Sequence, residues 1–126
     1  MTAPRFERTP APAGARVSGF QDTRFLVDGV AYEALLLTPQ RALAWSPPPL
    51  DALTPDDLAP ALALEPPPEF LLLGTGARQI FAPRAFVAAL EARGIGVEAM
   101  DSRAAARTWG VLRGEGRWIV AAFFPL

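Results

Sequence analysis

The sequence has no cysteine and no histidine, and neither lysine nor asparagine occurs anywhere in it. Each absence removes a chemistry. Without cysteine there is no disulfide and no thiolate nucleophile, and without histidine there is also no Cys/His zinc site and no Ser-His-Asp triad. Without lysine there is no Schiff base and no phosphate lysine of the Walker type. Long apolar runs are missing as well. The longest, Trp118 to Phe124, falls far short of the roughly 20 residues that span a bilayer. Charge of one sign does not dominate, because 12 basic and 13 acidic residues leave a formal net charge of −1. That balance supplies no drive toward nucleic acid or an anionic membrane. No charged head followed by an apolar stretch opens the chain, so no secretory signal is read and the cytoplasm is the expected location.

What is present suits one globular domain. Of 126 residues, 51% are hydrophobic and 20% charged, and a chain of this size buries roughly two-thirds of its unfolded surface. The preference for Ala, Arg, Pro and Gly over Lys and Asn reads as GC-rich coding and points to a bacterial source. Residues 1–16, with Pro4, Pro10, Pro12 and Gly14, read as a mobile arm ahead of a single domain over 17–126.

Asp28-Gly29 between Arg24–Val27 and Val30–Thr38 predicts a type I′ hairpin, since both turn residues must take positive φ. A strand at Ala42–Trp45 is stopped by Pro47-Pro48-Pro49. Thr54-Pro55-Asp56-Asp57 predicts a helix start, and Pro60 keeps that helix short. Phe70–Leu73 is apolar on both faces, as a central strand is. Pro83–Arg93 predicts a helix with Phe86, Val87 and Leu90 facing inward and Gly94 as its stop. Ile95–Met100 reads as a second buried strand, joined to the first by a parallel crossover. Ser102 is the expected cap of a second helix whose Ala104, Ala105, Thr108, Val111 and Leu112 face inward. Gly114 ends that helix, and Arg117–Phe124 forms the last strand. The pattern predicts a single α/β domain with a mixed central sheet, a β-hairpin region first and a β-α-β-α-β half after it.

The most specific-looking motif is Gly74-Thr75-Gly76 directly after the buried strand, with Asp101 ending the next one. A dinucleotide fold places its glycines and its ribose carboxylate in those positions. Gln79 occupies the third glycine position, however, and the helix begins only at Pro83, so a tight strand-end turn is the stronger reading, with Gly74 expected at positive φ. Arg103 and Arg107, one helical turn apart on an outer face, are either a clamp for a carboxylate, phosphate or acidic partner or a solvated pair neutralised by Asp101, Glu98 or Glu115. Asp101 and Glu115 stand roughly 20 Å apart at opposite ends of one helix, too far for paired acid–base work. Glu115 and Arg117 are expected to be structural partners. Trp45, Trp109 and Trp118 are expected to pack rather than to stack on bases.

Four stretches carry a family resemblance: Pro-Glu-Phe-Leu-Leu-Leu-Gly-Thr-Gly at 68–76, Gly-Ile-Gly-Val-Glu-Ala-Met-Asp-Ser at 94–102, Ala-Ala-Ala-Arg-Thr-Trp-Gly-Val-Leu at 104–112 and Glu-Gly-Arg at 115–117. Together they resemble the small domain of uncharacterised bacterial and archaeal proteins that also occurs in mitochondrial complex I assembly factor 3 and in the adipogenesis-associated human protein. The resemblance implies a three-layer α/β fold, no established enzyme activity, and work through protein–protein contacts. The family's Met-Asp-Thr stands here as Met100-Asp101-Ser102, which keeps a hydroxyl. Its Thr-Tyr-Asn stands as Thr108-Trp109-Gly110, which removes a phenol and an amide from a surface the family would use. The expected function is therefore non-catalytic protein binding of an assembly-factor kind, with no cofactor and no metal. The alternative is a module for a small anionic ligand, or a weak enzyme. Both readings draw on Gly74, Thr75, Gly76, Asp101, Ser102, Arg103 and Arg107.

Overall fold

The computed structural model describes residues 15–126, and the arm expected over residues 1–16 lies outside the described residues as far as residue 14. Ala15 itself is buried, and its carbonyl accepts a hydrogen bond from Trp109 Nε1 at 2.9 Å.

Three short strands, β1 (Gly19–Gln21), β2 (Arg24–Val27) and β3 (Val30–Tyr32), form an antiparallel sheet. The β2–β3 turn is the expected one, with Asp28 at φ 51° and Gly29 at φ 81°. The strand predicted over Val30–Thr38 is broken, because β4 (Leu35–Leu37) leaves this sheet and enters another. Every β4 residue is buried. Three consecutive leucines need cover on both faces, which a central position in a large sheet supplies.

That larger sheet has the order β5-β4-β8-β6-β7, with β5 at Ala42–Ala44, β6 at Phe70–Gly74, β7 at Gly96–Met100 and β8 at Val120–Phe123. Strand β6 pairs in parallel with β7 and β8, whereas β4 pairs antiparallel with β5 and β8. The sheet is therefore mixed, as expected. Strand β7 lies at its edge and is only half-buried, so the reading of Ile95–Met100 as a buried strand is corrected to an edge strand covered by α2.

Side chains alternate along the inner strands and separate two cores. Leu36, Leu71, Leu73, Val120 and Ala122 pack with Leu58, Phe86 and Leu90, which belong to a layer formed by a 3-10 turn (Pro55–Leu58), α1 (Ala59–Leu62) and α2 (Arg84–Glu91). Leu35, Leu37, Leu72, Ala121 and Phe123 pack with Phe25 and Val27 of the small sheet and with Ala105 and Trp109 of α3 (Ser102–Gly114). The result is three layers with the five-stranded sheet in the middle. Each fully buried Leu or Phe contributes about 1.5–3 kcal/mol relative to exposure.

Local chemistry sets the element ends. At the predicted helix start, the Asp57 carboxylate accepts from both the Thr54 N–H and the Thr54 hydroxyl. The helix that Pro60 was expected to keep short is a four-residue 3-10 turn, and Pro60 itself stands in the first turn of α1. Trp45 packs edge-on to Phe124 and donates to Asp57 O at 2.9 Å, and Trp118 donates to Pro66 O, so all three tryptophans pack.

Two expectations for α3 are corrected. The cap is Asp101, whose carboxylate accepts from Ala104 N at 2.9 Å, and Ser102 is the first helical residue. The buried line is Ser102, Ala105, Ala106, Trp109 and Arg113, while Val111 is exposed. Trp109 fixes this phase by filling the core, and Arg113 turns inward to donate to Arg117 O at 2.6 Å. Position 109 is thus core and not part of an outer surface.

Candidate functional site

The glycine-rich motif closes the carboxyl end of the central strand. Gly74 O accepts from Phe124 N, and Thr75 N donates to Met100 O, so the chain segments leaving β6, β7 and β8 meet at one point. The first turn of α3 rests on the same point. Ser102 Oγ accepts from Gly76 N at 2.8 Å and donates to Phe124 O at 2.9 Å, while Ser102 N donates to Gly76 O at 2.8 Å. The Ser102 side chain is fully buried.

The glycines are required here for two different reasons. A Cβ on Gly74 would sit 2.7 Å from Ser102 Oγ and 3.0 Å from both Ser102 Cα and Phe123 Cδ1. Positive φ was expected at Gly74, but it occurs at Gly76, with φ +100°. Gly74 serves close approach, and Gly76 serves backbone conformation.

Beyond Gly76 the chain runs out to the start of α2 in a loop braced by Thr75. The Thr75 hydroxyl donates to Arg78 O at 2.6 Å and accepts from Ile80 N at 3.1 Å. Gln79 Nε2 donates to Ala99 O at 3.2 Å, fastening the loop to β7. The loop holds up two apolar side chains, Ile80 at 46% exposed and Phe81 at 92%. Sequence reasoning passed over these two residues. A signal was present: two large apolar side chains stand between a strand end and Pro83, in a segment with neither helical nor strand periodicity.

The candidate residues thus fall into two groups. Gly74, Thr75, Gly76, Asp101 and Ser102 converge, and the Thr75 and Ser102 hydroxyls and Asp101 Oδ1 are bonded to main chain. The Gly76 N–H, which a dinucleotide fold would turn to a phosphate, is taken by Ser102 Oγ, and Asp101 Oδ1 accepts from the helix it caps. Arg103 and Arg107 lie apart on the exposed face of α3. Arg103 stacks on the Phe20 ring, with Cζ 4.5 Å from the centroid. Arg107 makes no ion pair among the described residues.

The Glu115–Arg117 pairing is corrected. The Arg117 guanidinium reaches Glu69, with Nη2 to Oε1 at 2.7 Å and Nε to Oε1 at 3.0 Å, and both side chains are part-exposed. Those bonds, and the Trp118 N–H donated to the same carboxylate, hold the Glu69 carboxyl below its usual range. Among the described residues no three acidic side chains gather in a way that would hold a metal ion. No helix among them is long and apolar enough to cross a membrane.

Fold and site together define a small three-layer α/β domain whose parallel strand ends are sealed by a glycine turn and a buried serine, with an apolar loop projecting beside the seal. The chain belongs to the family described as protein of unknown function (DUF498/DUF598), which matches residues 17–124. It is 34% identical over 121 residues to an uncharacterized protein of Rhodobacter capsulatus, covering 94% of this chain and 92% of that one. It is 30% identical over 116 residues to the Danio rerio NADH dehydrogenase (ubiquinone) 1 alpha subcomplex assembly factor 3, covering 91% of this chain and 67% of the factor. Among solved structures, the crystal structure of a Bordetella parapertussis protein superposes with a TM-score of 0.81 at 38% identity, over 93% of this chain and all of that one. The solution structure of a Mth938-like domain from Bordetella pertussis gives 0.77 at 32% identity, over 98% and 92%. These similarities match the resemblance carried by residues 68–76, 94–102, 104–112 and 115–117.

Proposed function

We propose that this chain is a non-catalytic domain of the cytoplasm that acts in the manner of an assembly factor, by binding another protein through the loop that carries Ile80 and Phe81. The observation that carries this reading is the exposure of Phe81, 92% on a loop held in place by Thr75 and Gln79. A large aromatic side chain presented on a braced loop is a ready anchor for an interface, since docking removes its apolar surface from water without first ordering the loop. The state of the neighbouring polar groups supports the same reading. The Ser102 hydroxyl and Asp101 Oδ1 are bonded to main-chain groups, and the apolar loop faces outward at this end of the sheet. The assembly factor among the relatives is named for work on a protein complex, and that supports a protein partner here.

The test is a photo-crosslinking amino acid placed at position 81 in the native host, with one at exposed Val30 as the control position. A discrete protein adduct specific to position 81 is the expected result. No adduct from position 81, or the same adducts from both positions, would overturn the reading.

A further inference from the structure

Building on the reading of this chain as a protein-binding domain, we propose that the partner supplies an acidic amphipathic segment, with its apolar side chains packed on the Ile80–Phe81 ridge and its carboxylates facing Arg78. Two shallow grooves share the ridge in their lining. One, of about 530 Å³, is lined by Arg78, Gln79, Ile80 and Phe81. The other, of about 370 Å³, is lined by Leu50, Asp51 and Pro83 together with the ridge.

The charge around the ridge selects the occupant. Between residues 77 and 84 the charged side chains are Arg78 and Arg84, both exposed, and neither forms an ion pair among the described residues. Helix α2 starts at Arg84 with no side-chain cap and no acidic residue in its first turn, so its positive end adds to the same field. The Gln79 amide gives one N–H to Ala99 O, and Arg78 is the charged side chain among the described residues that line this groove. A basic segment would meet like charge, and a purely apolar one would bury a guanidinium without an acceptor. A carboxylate over Arg78 avoids both costs. Asp51 on the far groove orients the segment, with carboxylates on the Arg78 side and apolar side chains toward Leu50 and Pro83. An anionic membrane spread across both grooves would meet Asp51 as well, whereas a segment turned with its apolar side chains to that groove does not set a carboxylate against it.

The test uses the full chain and three labelled helical peptides that share one apolar stripe and differ in a polar face of Glu, Gln or Lys. Fluorescence anisotropy is expected to rank them Glu over Gln over Lys, with the outer two separated by about tenfold in Kd or more, a difference of about 1.4 kcal/mol. Arg78→Glu combined with Arg84→Glu is expected to reverse the order. Phe81→Ser is expected to weaken all three peptides while circular dichroism stays unchanged, because the side chain is outside the core. Arg103→Glu with Arg107→Glu, on α3 and outside the lining of both grooves, is expected to leave the order as it was.

Equal affinity for the Glu and Lys peptides would overturn the inference, as would binding untouched by Phe81→Ser. Binding of phosphatidylglycerol vesicles through Phe81 in place of the peptides would overturn it too, and would assign the loop to a membrane. Mapping the cross-link from position 81 separates the two levels of the claim. An adduct on a basic segment of a protein sinks this inference and leaves the protein-binding reading standing, whereas the lack of any protein adduct sinks both.

Discussion

Replacing Ser102 by alanine tests how the sealed strand end is held. The hydroxyl is fully buried and bonds two main-chain groups, accepting from Gly76 N at 2.8 Å and donating to Phe124 O at 2.9 Å. Ser102→Ala leaves both without a partner in a place that water does not reach. An orphaned buried polar group costs about 1–3 kcal/mol, so the expected loss is about 3 kcal/mol once some relaxation is allowed. With a urea m-value of about 1.5 kcal/mol/M, the midpoint falls by about 2 M. Ser102→Thr keeps the hydroxyl and is expected to stay within about 1 kcal/mol of the parent. Gly74→Ala is expected to cost about 1–3 kcal/mol through overpacking, because its Cβ meets Ser102 Oγ at 2.7 Å and also Ser102 Cα and Phe123 at 3.0 Å. Combining Gly74→Ala with Ser102→Ala removes the contact to Oγ, so the double variant should lose less than the sum of the singles. An unchanged midpoint for Ser102→Ala, or strict additivity in the cycle, would refute the bridging role.

Three further outcomes follow from other parts of the fold. The Glu69 carboxyl is held below its usual range by its bonds to Arg117 and Trp118; a carboxyl lowered on folding stabilises above its unfolded pKa and loses that contribution as the pH falls through the lowered value. The gap in urea midpoint between the parent and Glu69→Gln should therefore close on acidification through the carboxylate range, and a gap that is flat with pH refutes the pairing. Trp109→Phe removes the donor to Ala15 O and opens space in the core, for an expected loss of about 2 kcal/mol and faster proteolysis ahead of Val17; parental stability and parental cleavage would contradict the tether. Phe81→Ser should change the urea midpoint by no more than about 0.5 kcal/mol equivalent, and a larger loss would show that the ring is part of the core.

Local chemistry was legible wherever a short motif determines geometry. Asp28-Gly29 demanded a left-handed pair, Thr54 and Asp57 formed their reciprocal cap, and Phe70–Leu73 announced a strand covered on both faces. The phase of α3 was not legible, because Ala104, Ala105 and Ala106 fit an inner or an outer line equally well. Trp109 sets it by filling the core, and the polar members of the same buried line, Ser102 and Arg113, look like surface residues until their main-chain partners are known. Those partners, Phe124 and Gly76 for Ser102, are distant in sequence, as Glu69 is for Arg117, and no local pattern encodes such pairings. Gly74 was recognised as necessary, but for torsion, whereas the need is space next to Ser102. Ile80 and Phe81 have no periodicity, and periodicity is what marks an apolar residue as core, so its lack was the sequence signal that their exposure bears out.

The position of β8 has a consequence for synthesis on the ribosome. Strands β4 and β5 form one hydrogen-bonded pair and β6 and β7 another, and residues 120–123 join the two. A nascent chain that has emerged only through α3 holds both pairs with no strand between them, so Leu35–Leu37 and Phe70–Gly74 each keep an edge open to foreign strands. Vectorial emergence therefore gives no partial domain in this region, and the sheet closes in one late step when Val120–Phe123 arrives. A chain stalled before that point should depend on a chaperone, and a chain released past it should fold without one.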